Sequence, residues 1–313
     1  MIITVTMNPA IDKTVDVDCM ERGGLNRIGH SEMDVGGKGI NVSRTVKALG
    51  GNTLATGFIG GKTGEMIEGV LKEWGIPTDF IKVEGENRTN LKVVEKQGSV
   101  TEFNESGPVV TETQVDAMLR KLEGYAKEDT LFVLSGSIPR GVNPDIYRVI
   151  IRRVHEKGAK VLMDADGELF IQALEARPDM MKPNREELEA YCQLDHPASV
   201  SELVSMGKQL LGRGFGMIAI SLGAMGALFL AGDRVVKCPG LKVKTHSTVG
   251  AGDAMVAALA YSWDMKLGID ETIRLAMAAS AGAVMTYGTK PPSRGTVDEL
   301  IKQVVLEELV TDN

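Results

Sequence analysis

The segment Ser247–Ala257 has the composition of an anion-binding helix start. It reads Ser-Thr-Val-Gly-Ala-Gly-Asp-Ala-Met-Val-Ala, so a Gly-Ala-Gly turn runs directly into a predicted helix of small residues with Asp253 in its first turn. Free backbone N–H groups at such a helix start bind anions, and the helix dipole adds to the attraction. We therefore predict an anion site beside Asp253. The residues alone leave open the alternative that Asp253 is only a helix N-terminal residue without a catalytic role.

A second glycine cluster, Gly36-Gly37-Lys38-Gly39-Ile40-Asn41, also stands immediately before a predicted helix. Lys38 and Asn41 supply N–H donors for hydroxyl or phosphate oxygens. A tight turn with a solvated lysine is the alternative. Upstream, the motif Asn8–Asp12 is interpreted as the end of the first strand, with Asp12 at its carboxyl end, where open α/β sheets bind ligands.

Two common nucleotide-binding motifs are missing from the sequence. A Walker A loop would need a glycine five positions before Gly61, where Thr56 stands, so we interpret Thr56–Thr63 as a strand-to-helix turn. The pattern GxGxxG fails at both glycine clusters, because Val42 and Met255 occupy the third position. The dinucleotide-binding interpretation therefore loses its main support.

Composition narrows the class of protein. The 313 residues are 43% hydrophobic and 25% charged, with a formal net charge of -7. This charge argues against nucleic acid as a partner. Cys19, Cys192 and Cys238 form no CxxC pair and indicate neither a zinc site nor a disulfide framework. The N-terminus resembles a strand rather than a signal peptide, and the apolar stretches are too short to span a bilayer. We expect a soluble, cytoplasmic protein with no membrane partner.

Short β-branched runs alternate with longer amphipathic stretches along the chain. This alternation predicts βαβ units and therefore an α/β fold, with a mainly parallel sheet flanked by helices. The predicted strands are Ile2–Thr6, Thr53–Ile59, Leu131–Ser135, Lys160–Asp164 and Met217–Ser221. The predicted helices are Ile40–Leu49, Gly64–Trp74, Thr113–Lys127, Pro144–Lys157, Arg185–Cys192 and Ser199–Arg213.

Two segments, 13–33 and 80–103, break this rhythm and have no convincing helical pattern. Ile81–Glu84, Asn90–Glu95 and Ser99–Phe103 look like hairpin strands. We predict that the two segments form a small β-sheet lid inserted into the α/β core. An exposed lid sheet with an unpaired edge often finds a partner, so we also expect a homodimer that forms through the lid.

Six motifs in order along the chain resemble those of the ribokinase-like sugar kinases, the phosphofructokinase B family. Besides the Gly36–Asn41 and Ser247–Asp253 clusters, the motifs are Asn8–Asp12, Ser135–Pro139, Lys182–Glu187 and Ser221–Gly226. The resemblance covers essentially the whole chain and implies a single ribokinase-like kinase domain, 1–313. Within the family, the chain looks most like the bacterial 1-phosphofructokinase group, with tagatose-6-phosphate kinases as near relatives. This resemblance implies phosphorylation of fructose 1-phosphate at the 6-hydroxyl by ATP.

The resemblance assigns roles by position. Asp253 is expected to take the proton of the acceptor hydroxyl, while Gly250, Ala251 and Gly252 stabilise the transferring phosphoryl group. Asp12 is expected to bind sugar hydroxyls. The other expected substrate-binding residues are Gly37, Lys38, Asn41, Arg88, Asn90, Ser137 and Arg140. Lys38, Arg88 and Arg140 are the candidates for the substrate's own phosphate, with Arg27 and Asn90 behind them.

ATP and magnesium have their own expected residues. The expected ATP-binding residues are Lys182, Asn184, Ser221, Gly223, Ala224, Met225, Gly226, Thr248, Gly250, Gly252 and Ser280. Asn184 and Glu187 match the Asn-x-x-Glu motif, which is expected to organise Mg²⁺ through water. A helix-start asparagine with a solvated glutamate is the alternative for this pair.

One motif departs from the family pattern, and other functions stay in competition. Asp164-Ala165-Asp166-Gly167 replaces a more familiar Asp-x-Ser-Gly, and the effect of the extra carboxylate is left open. The rival substrate is tagatose 6-phosphate. A rival from another class is a catalytically silent sugar-phosphate sensor, against which the intact Asp253 and Gly-Ala-Gly turn argue. A dehydrogenase is disfavoured because no dinucleotide motif is present.

Overall fold

The computed structural model describes residues 1–309, which form fourteen β-strands and ten α-helices. The strands are β1 (Ile2–Thr6), β2 (Ala10–Val17), β3 (His30–Gly36), β4 (Thr53–Ile59), β5 (Ile81–Lys82), β6 (Arg88–Glu95), β7 (Val100–Asn104), β8 (Leu131–Ser135), β9 (Lys160–Asp164), β10 (Met180–Met181), β11 (Met217–Ser221), β12 (Ala227–Ala231), β13 (Arg234–Cys238) and β14 (Glu307–Glu308). The helices are α1 (Lys38–Ala48), α2 (Gly61–Glu73), α3 (Glu112–Tyr125), α4 (Ile146–His155), α5 (Gly167–Leu174), α6 (Arg185–Tyr191), α7 (Val200–Gly212), α8 (Ala251–Asp264), α9 (Ile269–Val284) and α10 (Arg294–Ile301).

The large sheet has the order β14-β13-β12-β11-β10-β9-β8-β1-β4-β5. Neighbouring strands from β11 to β5 are parallel, and the helices between them are the connections that parallel strands require. At the other side, β12, β13 and β14 continue the sheet in antiparallel pairs. The predicted fold class, a mainly parallel sheet flanked by helices, is confirmed.

Alternate residues of the central strands face opposite helical layers. Ile2 and Val133 are fully buried in a cluster with α1, α8, α9 and α10. Ile3 and Phe132 are fully buried in a cluster with α3 to α7 on the other side. Burial on both faces explains why these strands are continuous apolar runs rather than alternating ones. Each such side chain contributes about 1.5–3 kcal/mol to the free energy of folding.

A second sheet, with the order β3-β2-β6-β7, stands apart from the large one. Asp12 lies opposite Asp34 of β3 and beside Asn90 of β6, so these three side chains share one face. Ile11 and Val35 lie on the other face and pack against the core in a buried cluster with α1, β4 and α2. The sheet is therefore anchored to the core by its apolar face, while a polar face carries Asp12.

Several local predictions are wrong. Asp12 does not end the first strand, because β1 stops at Thr6 and Asp12 is the third residue of β2 in the second sheet. Ile81–Lys82 is not hairpin material, since it pairs in parallel with Phe58–Ile59 at the edge of the large sheet. The second sheet uses residues 10–36 and 88–104. Within residues 1–309, no helix has the length and apolarity needed to cross a membrane.

Candidate active site

A cavity of about 630 Å³ opens at the carboxyl ends of β9, β10 and β11. Polar residues reach it from the start of α1, the ends of β9 and β10, the start of α6, the loop after β11 and the start of α8. Its other wall is largely apolar and comes from α9 and the 240–245 loop. The lining includes Lys38, Asp164, Lys182, Asn184, Glu187, Ser221, Gly223, Ala224, Met225, Gly226, Leu241, Val243, Thr248, Ala251, Gly252, Asp253, Met277, Ser280 and Val284.

Helix α8 begins at the cavity with unpaired backbone donors. Gly250 is its N-cap residue and has φ +84°, a left-handed conformation that favours glycine. The first N–H to reach an intrahelical acceptor is that of Ala254, which donates to Gly250 O. The N–H groups of Ala251, Gly252 and Asp253 therefore lack an intrahelical acceptor. Together with the helix dipole they provide an anion site at the cavity wall.

Asp253 is buried beside these donors, with 8% of its surface exposed. Asn41 of α1 donates a hydrogen bond from Nδ2 to Asp253 Oδ2 over 2.7 Å. Burial first, and the negative charge of Asp164 second, raise the pKa of the Asp253 carboxyl to about 6. The Asn41 hydrogen bond and the charges of two lysines act in the opposite direction. A carboxylate with this pKa is ionised at neutral pH and basic enough to accept a proton in catalysis.

Two lysines flank a buried carboxylate at the centre of the cavity. Asp164, 2% exposed, ends β9; Lys182 Nζ lies 3.2 Å from its Oδ1 and Lys38 Nζ lies 3.7 Å from its Oδ2. Asp166, the unexpected carboxylate of the sequence motif, is exposed and lies 3.9 Å from Lys38 Nζ. Burial by itself lowers the pKa of Lys38, but four surrounding carboxylates, Asp164 first, outweigh it and raise that pKa. Both lysines line the cavity, so their ammonium groups can bind an anionic ligand there.

Lys182 also approaches the start of α8. A Cβ at Gly252 would lie 3.5 Å from Lys182 Nζ, so this ammonium group lies beside the first turn of the helix. The positive charge and the free N–H groups of α8 are thus neighbours. An oxyanion between them would be stabilised by both.

Asn184 and Glu187 form a capping box at the start of α6. Asn184 N donates to Glu187 Oε2 over 2.8 Å, and Glu187 N donates to Asn184 Oδ1 over 2.7 Å. Burial raises the pKa of Glu187. The pair therefore already has a structural function at the helix start, in which Glu187 is half-buried rather than solvated. Both residues still line the cavity, as does Asp164.

On the second sheet, Asn90 donates a hydrogen bond from Nδ2 to Asp12 Oδ1 over 2.9 Å. Arg88, half-buried, donates from Nε to the backbone oxygen of Asn8 over 3.1 Å. Gly36 allows Asp12 its position, because a Cβ at Gly36 would overlap the Asp12 carboxylate. The polar face of the second sheet thus presents Asp12 and Asn90 next to the Gly36–Gly39 turn, which leads to the cavity.

Comparison with known proteins identifies the family. The model of the pfkB family of carbohydrate kinases matches residues 5–294. The chain belongs to the pfkB family. It is therefore a carbohydrate kinase.

Relatives within the pfkB family extend over the full chain. The 1-phosphofructokinase of Bacillus subtilis is 35% identical over 309 residues, which is 99% of this chain and 100% of the relative. The D-tagatose-1-phosphate kinase of Bacillus licheniformis is 33% identical, with 99% and 100% covered. Among solved structures, the tetrameric inhibited form of phosphofructokinase-2 from Escherichia coli has a TM-score of 0.89 and 26% identity, with 96% of this chain and 98% of that chain covered.

The structure brings most of the predicted pfkB site residues to the cavity. Fourteen line it: Lys38, Lys182, Asn184, Glu187, Ser221, Gly223, Ala224, Met225, Gly226, Thr248, Ala251, Gly252, Asp253 and Ser280. Gly250 caps α8 from just behind them. Asn41 and Gly37 adjoin the cavity through Asp253 and Lys38. Asp12, Asn90 and Arg88 belong to the second sheet.

Two predicted residues lie elsewhere. Ser137 is exposed in the loop after β8, one residue after Gly136, where a Cβ would lie 3.5 Å from the Lys38 side chain. Arg140 is exposed and donates from Nη2 to Gly107 O over 3.2 Å. It lines a second cavity of about 750 Å³, whose lining shares no residue with the first. Arg140 and Lys38 thus line different cavities, and Arg88 lines neither.

Sequence reasoning missed several cavity residues. Asp164 was noted only as part of a divergent motif, although its position at the end of a predicted strand is itself a signal, because ligands bind at that edge of an α/β sheet. Leu241, Val243 and Met277 supply apolar walls. Their apolar character gives no local signal, since core residues have the same composition.

Proposed function

We propose that this kinase transfers the γ-phosphoryl group of ATP to the 6-hydroxyl of fructose 1-phosphate, giving fructose 1,6-bisphosphate and ADP. The observation that carries the proposal is the arrangement at the start of α8, where the Asp253 carboxylate, held by Asn41, adjoins three free backbone N–H groups. Relatives named 1-phosphofructokinase at 31–35% identity support the choice of acceptor.

The chain's own residues supply a direct mechanism. The acceptor hydroxyl attacks the γ-phosphorus while the bond from phosphorus to the bridging oxygen of ADP breaks, and the hydroxyl proton passes to Asp253. The N–H groups of Ala251 and Gly252 and the Lys182 ammonium stabilise negative charge on the transferring group. Phosphoryl transfer needs mainly such positioning and electrostatic stabilisation.

The nucleotide is proposed to occupy the cavity between the 221–226 loop and α9. Ser221, Gly223, Ala224, Met225 and Gly226 form one wall, while Ser280 on α9 leaves room for the base. Thr248 and Asn184 lie near the phosphate end. Lys182 and the start of α8 would hold the β- and γ-phosphates, because cations and helix N-termini bind phosphate.

Magnesium fits this end of the cavity. Asp164 and Glu187 offer carboxylate oxygens, and Asp164 Oδ1 is buried 3.2 Å from Lys182 Nζ without accepting a well-aligned hydrogen bond. Among residues 1–309, no group of three or more His, Cys, Asp or Glu side chains is arranged to hold a metal. Few protein ligands suit Mg²⁺, which keeps several waters and binds substrate phosphates. When bound, the ion would neutralise charge on the ATP phosphates, with Asn184 and Glu187 organising its waters.

The second sheet is proposed to act as a lid over the sugar phosphate. Asp12, Asn90 and Asn41 would bind sugar hydroxyls beside the Gly37 backbone and Ser137. Lys38, Arg88 and Arg140 would bind the phosphate. Closure of such a lid excludes water from the transferring phosphoryl group.

Two other assignments remain in competition. Tagatose 6-phosphate has its acceptor hydroxyl at the opposite end of the sugar, and a roughly symmetric ketohexofuranose could bind in either orientation. A catalytically silent sugar-phosphate sensor has no need for a buried base with a raised pKa. The raised pKa of Asp253 and its hydrogen bond from Asn41 therefore argue against a sensor.

Steady-state ADP release with Mg²⁺ and ATP tests the proposal, using fructose 1-phosphate, fructose 6-phosphate, tagatose 6-phosphate and tagatose 1-phosphate at equal concentrations. We expect the highest kcat/KM for fructose 1-phosphate. A preference for a tagatose phosphate would replace the proposed substrate but keep the mechanism. No turnover with any acceptor would favour the sensor.

A homodimer that forms through the lid is also proposed. The segments of the second sheet expose large apolar side chains, namely Leu25, Ile28, Met33, Val100 and Phe103. Met33 and Phe103 belong to one cross-strand row and therefore share a face of the sheet, and exposed apolar side chains on one face mark an interaction surface. Sedimentation equilibrium should give twice the mass of the chain, and Phe103→Glu with Met33→Glu should shift it to the monomer; an unchanged dimer would place the interface elsewhere.

A further inference from the structure

We propose that Arg44 is a positioning residue that holds the sugar-binding face of the second sheet in register with the base. The residue has no place among the expected site residues and lies outside the cavity lining. Its contacts nevertheless connect the two halves of the proposed sugar site. The inference rests on the proposed function, because it concerns how the acceptor is held.

Arg44 bridges α1, α2 and the second sheet. Its Nη1 donates to Asp34 Oδ2 of β3 over 2.8 Å. Its guanidinium carbon lies 4.1 Å from the centre of the Trp74 ring at the end of α2. Arg44 is 15% exposed and Asp34 22%, so water screens this pair less than an exposed one. Stacking on the ring fixes the plane of the guanidinium group and thereby the position of Asp34.

The Asp34 carboxylate needs a cationic partner because Asp12 lies directly opposite to it. Residues Asp12 and Asp34 face each other across the antiparallel pair β2–β3, so their carboxylates share one face of the sheet. Like charges directly opposite each other destabilise a sheet. Arg44 neutralises Asp34, while Asp12 accepts a hydrogen bond from the Asn90 amide and lies within the field of Arg88. Asp12 can then accept hydrogen bonds from sugar hydroxyls without a second bare carboxylate beside it.

Helix α1 connects this pair to the base. Arg44 and Asn41 are three residues apart and therefore project from neighbouring positions on the same side of α1. Asn41 binds Asp253, and Arg44 binds the strand that pairs with Asp12. One rigid helix thus sets the distance between the group that would hold the sugar and the group that would accept its proton.

The test compares Arg44→Met, Asp34→Asn and the double variant by KM for the acceptor, KM for ATP and kcat, on whichever ketohexose phosphate the wild-type enzyme uses best. Arg44→Met should raise the acceptor KM about tenfold and leave the ATP KM within about twofold. Because Asp34→Asn removes the uncompensated charge next to Asp12, the double variant should return to within about threefold of wild type. Arg44→Lys keeps the positive charge but not the planar guanidinium group. Its acceptor KM should lie between those of wild type and Arg44→Met.

Arg153→Met is the matched control, since Arg153 makes a similar ion pair with Glu123 at 2.9 Å between α3 and α4, away from the site. It should leave both KM values unchanged. If Arg44→Met does not fold, Arg44→Lys with and without Asp34→Asn makes the same comparison.

The inference is overturned if the double variant is as impaired as Arg44→Met, or if acceptor and ATP KM change together. It is also overturned if only the melting temperature falls. A wild-type preference for another sugar phosphate contradicts the proposed substrate alone, because the variants are still compared on that acceptor. A wild-type protein that turns over no acceptor contradicts both.

Discussion

Asn41 donates a hydrogen bond over 2.7 Å to one oxygen of the Asp253 carboxylate, although the two residues are 212 positions apart in the chain. The bond is made to Oδ2, so the proposed acceptor hydroxyl would donate to Oδ1. It also favours the ionised form of a carboxylate that burial and Asp164 would otherwise keep protonated to higher pH. The orientation and the basicity of the base therefore depend on α1.

The pH dependence of turnover should report the Asp253 carboxyl. Asp253 works only when ionised, and its pKa is about 6, so kcat/KM should rise from pH 5 and level off above pH 7. Asn41→Ala removes a contact that lowers this pKa and should move the rising limb to higher pH. The profile is measured by ADP release in a constant-ionic-strength buffer series. A wild-type limb near pH 4 would contradict the raised pKa.

Asp164→Asn should move the same limb in the opposite direction. The Asp164 charge raises the pKa of Asp253, so its removal lowers that pKa. Overall turnover is expected to fall as well, since Asp164 is a candidate for organising Mg²⁺ and holds two lysines. The position of the limb, read from the normalised profile, is the diagnostic quantity. An upward shift would show that the main effect of Asp164 is to hold the two lysines near Asp253, because their loss would raise the pKa of Asp253.

Asp253→Asn should reduce kcat by about 10³-fold, the middle of the range expected for loss of a general base. ATP affinity, measured by calorimetry, should stay within about twofold because the amide keeps the size of the side chain. Asp264→Asn at the other end of α8 is the control, and should be fully active. Near-normal turnover of Asp253→Asn would remove this residue as the base.

Arg88→Ala should raise the KM for the sugar phosphate far more than the KM for ATP, because Arg88 lies on the second sheet rather than in the nucleotide cavity. Loss of a charged contact to phosphate costs about 1.5–3 kcal/mol, which corresponds to a change of roughly tenfold to a hundredfold. Arg148→Ala on α4 is a half-buried control outside the site. Equal effects on both substrates would exclude Arg88 from the phosphate site.

Gly250→Ala should lower both stability and turnover. The residue has φ +84°, where a Cβ is unfavourable by about 1 kcal/mol or more. A change of backbone conformation that relieves this strain would reorient the N–H groups at the start of α8. The decrease in kcat should therefore be larger than the loss of folded protein alone would cause. Gly124→Ala in α3, where a Cβ meets open space, should instead be neutral or stabilising. Full activity of Gly250→Ala would show that the cap conformation is dispensable.

The five strands predicted from the sequence have the same bounds in the structure, because each is a short apolar run buried on both faces. The antiparallel strands β12 and β13 escaped prediction. Ala-Leu-Phe-Leu-Ala at 227–231 fits a buried helix as well as a strand, and only its pairing with β11 decides between them. Helix bounds shifted by up to three residues, since helix ends depend on capping contacts that periodicity does not show.

The candidate site was predictable where a local motif marks it, as at the starts of α1, α6 and α8. The contacts between those motifs were not. Asp164 and Lys182 meet because β9 and β10 are neighbours, and Asp12 meets Asn90 because β2 pairs with β6. Such meetings depend on tertiary structure, so the pairing of Arg44 with Asp34 and Trp74 left no trace in the sequence pattern.

The parallel pairing of β2 with β6 also affects the order in which parts of the protein fold. Ala10 pairs with Arg88, and α1, β4 and α2 lie between them in the chain. Closing so long a loop costs entropy before the second sheet gains any hydrogen bond. The second sheet should therefore be completed only after this part of the core has formed, and be among the first regions to open again. The proposed sugar site would then be completed late in folding, after the cavity beside α8 has formed.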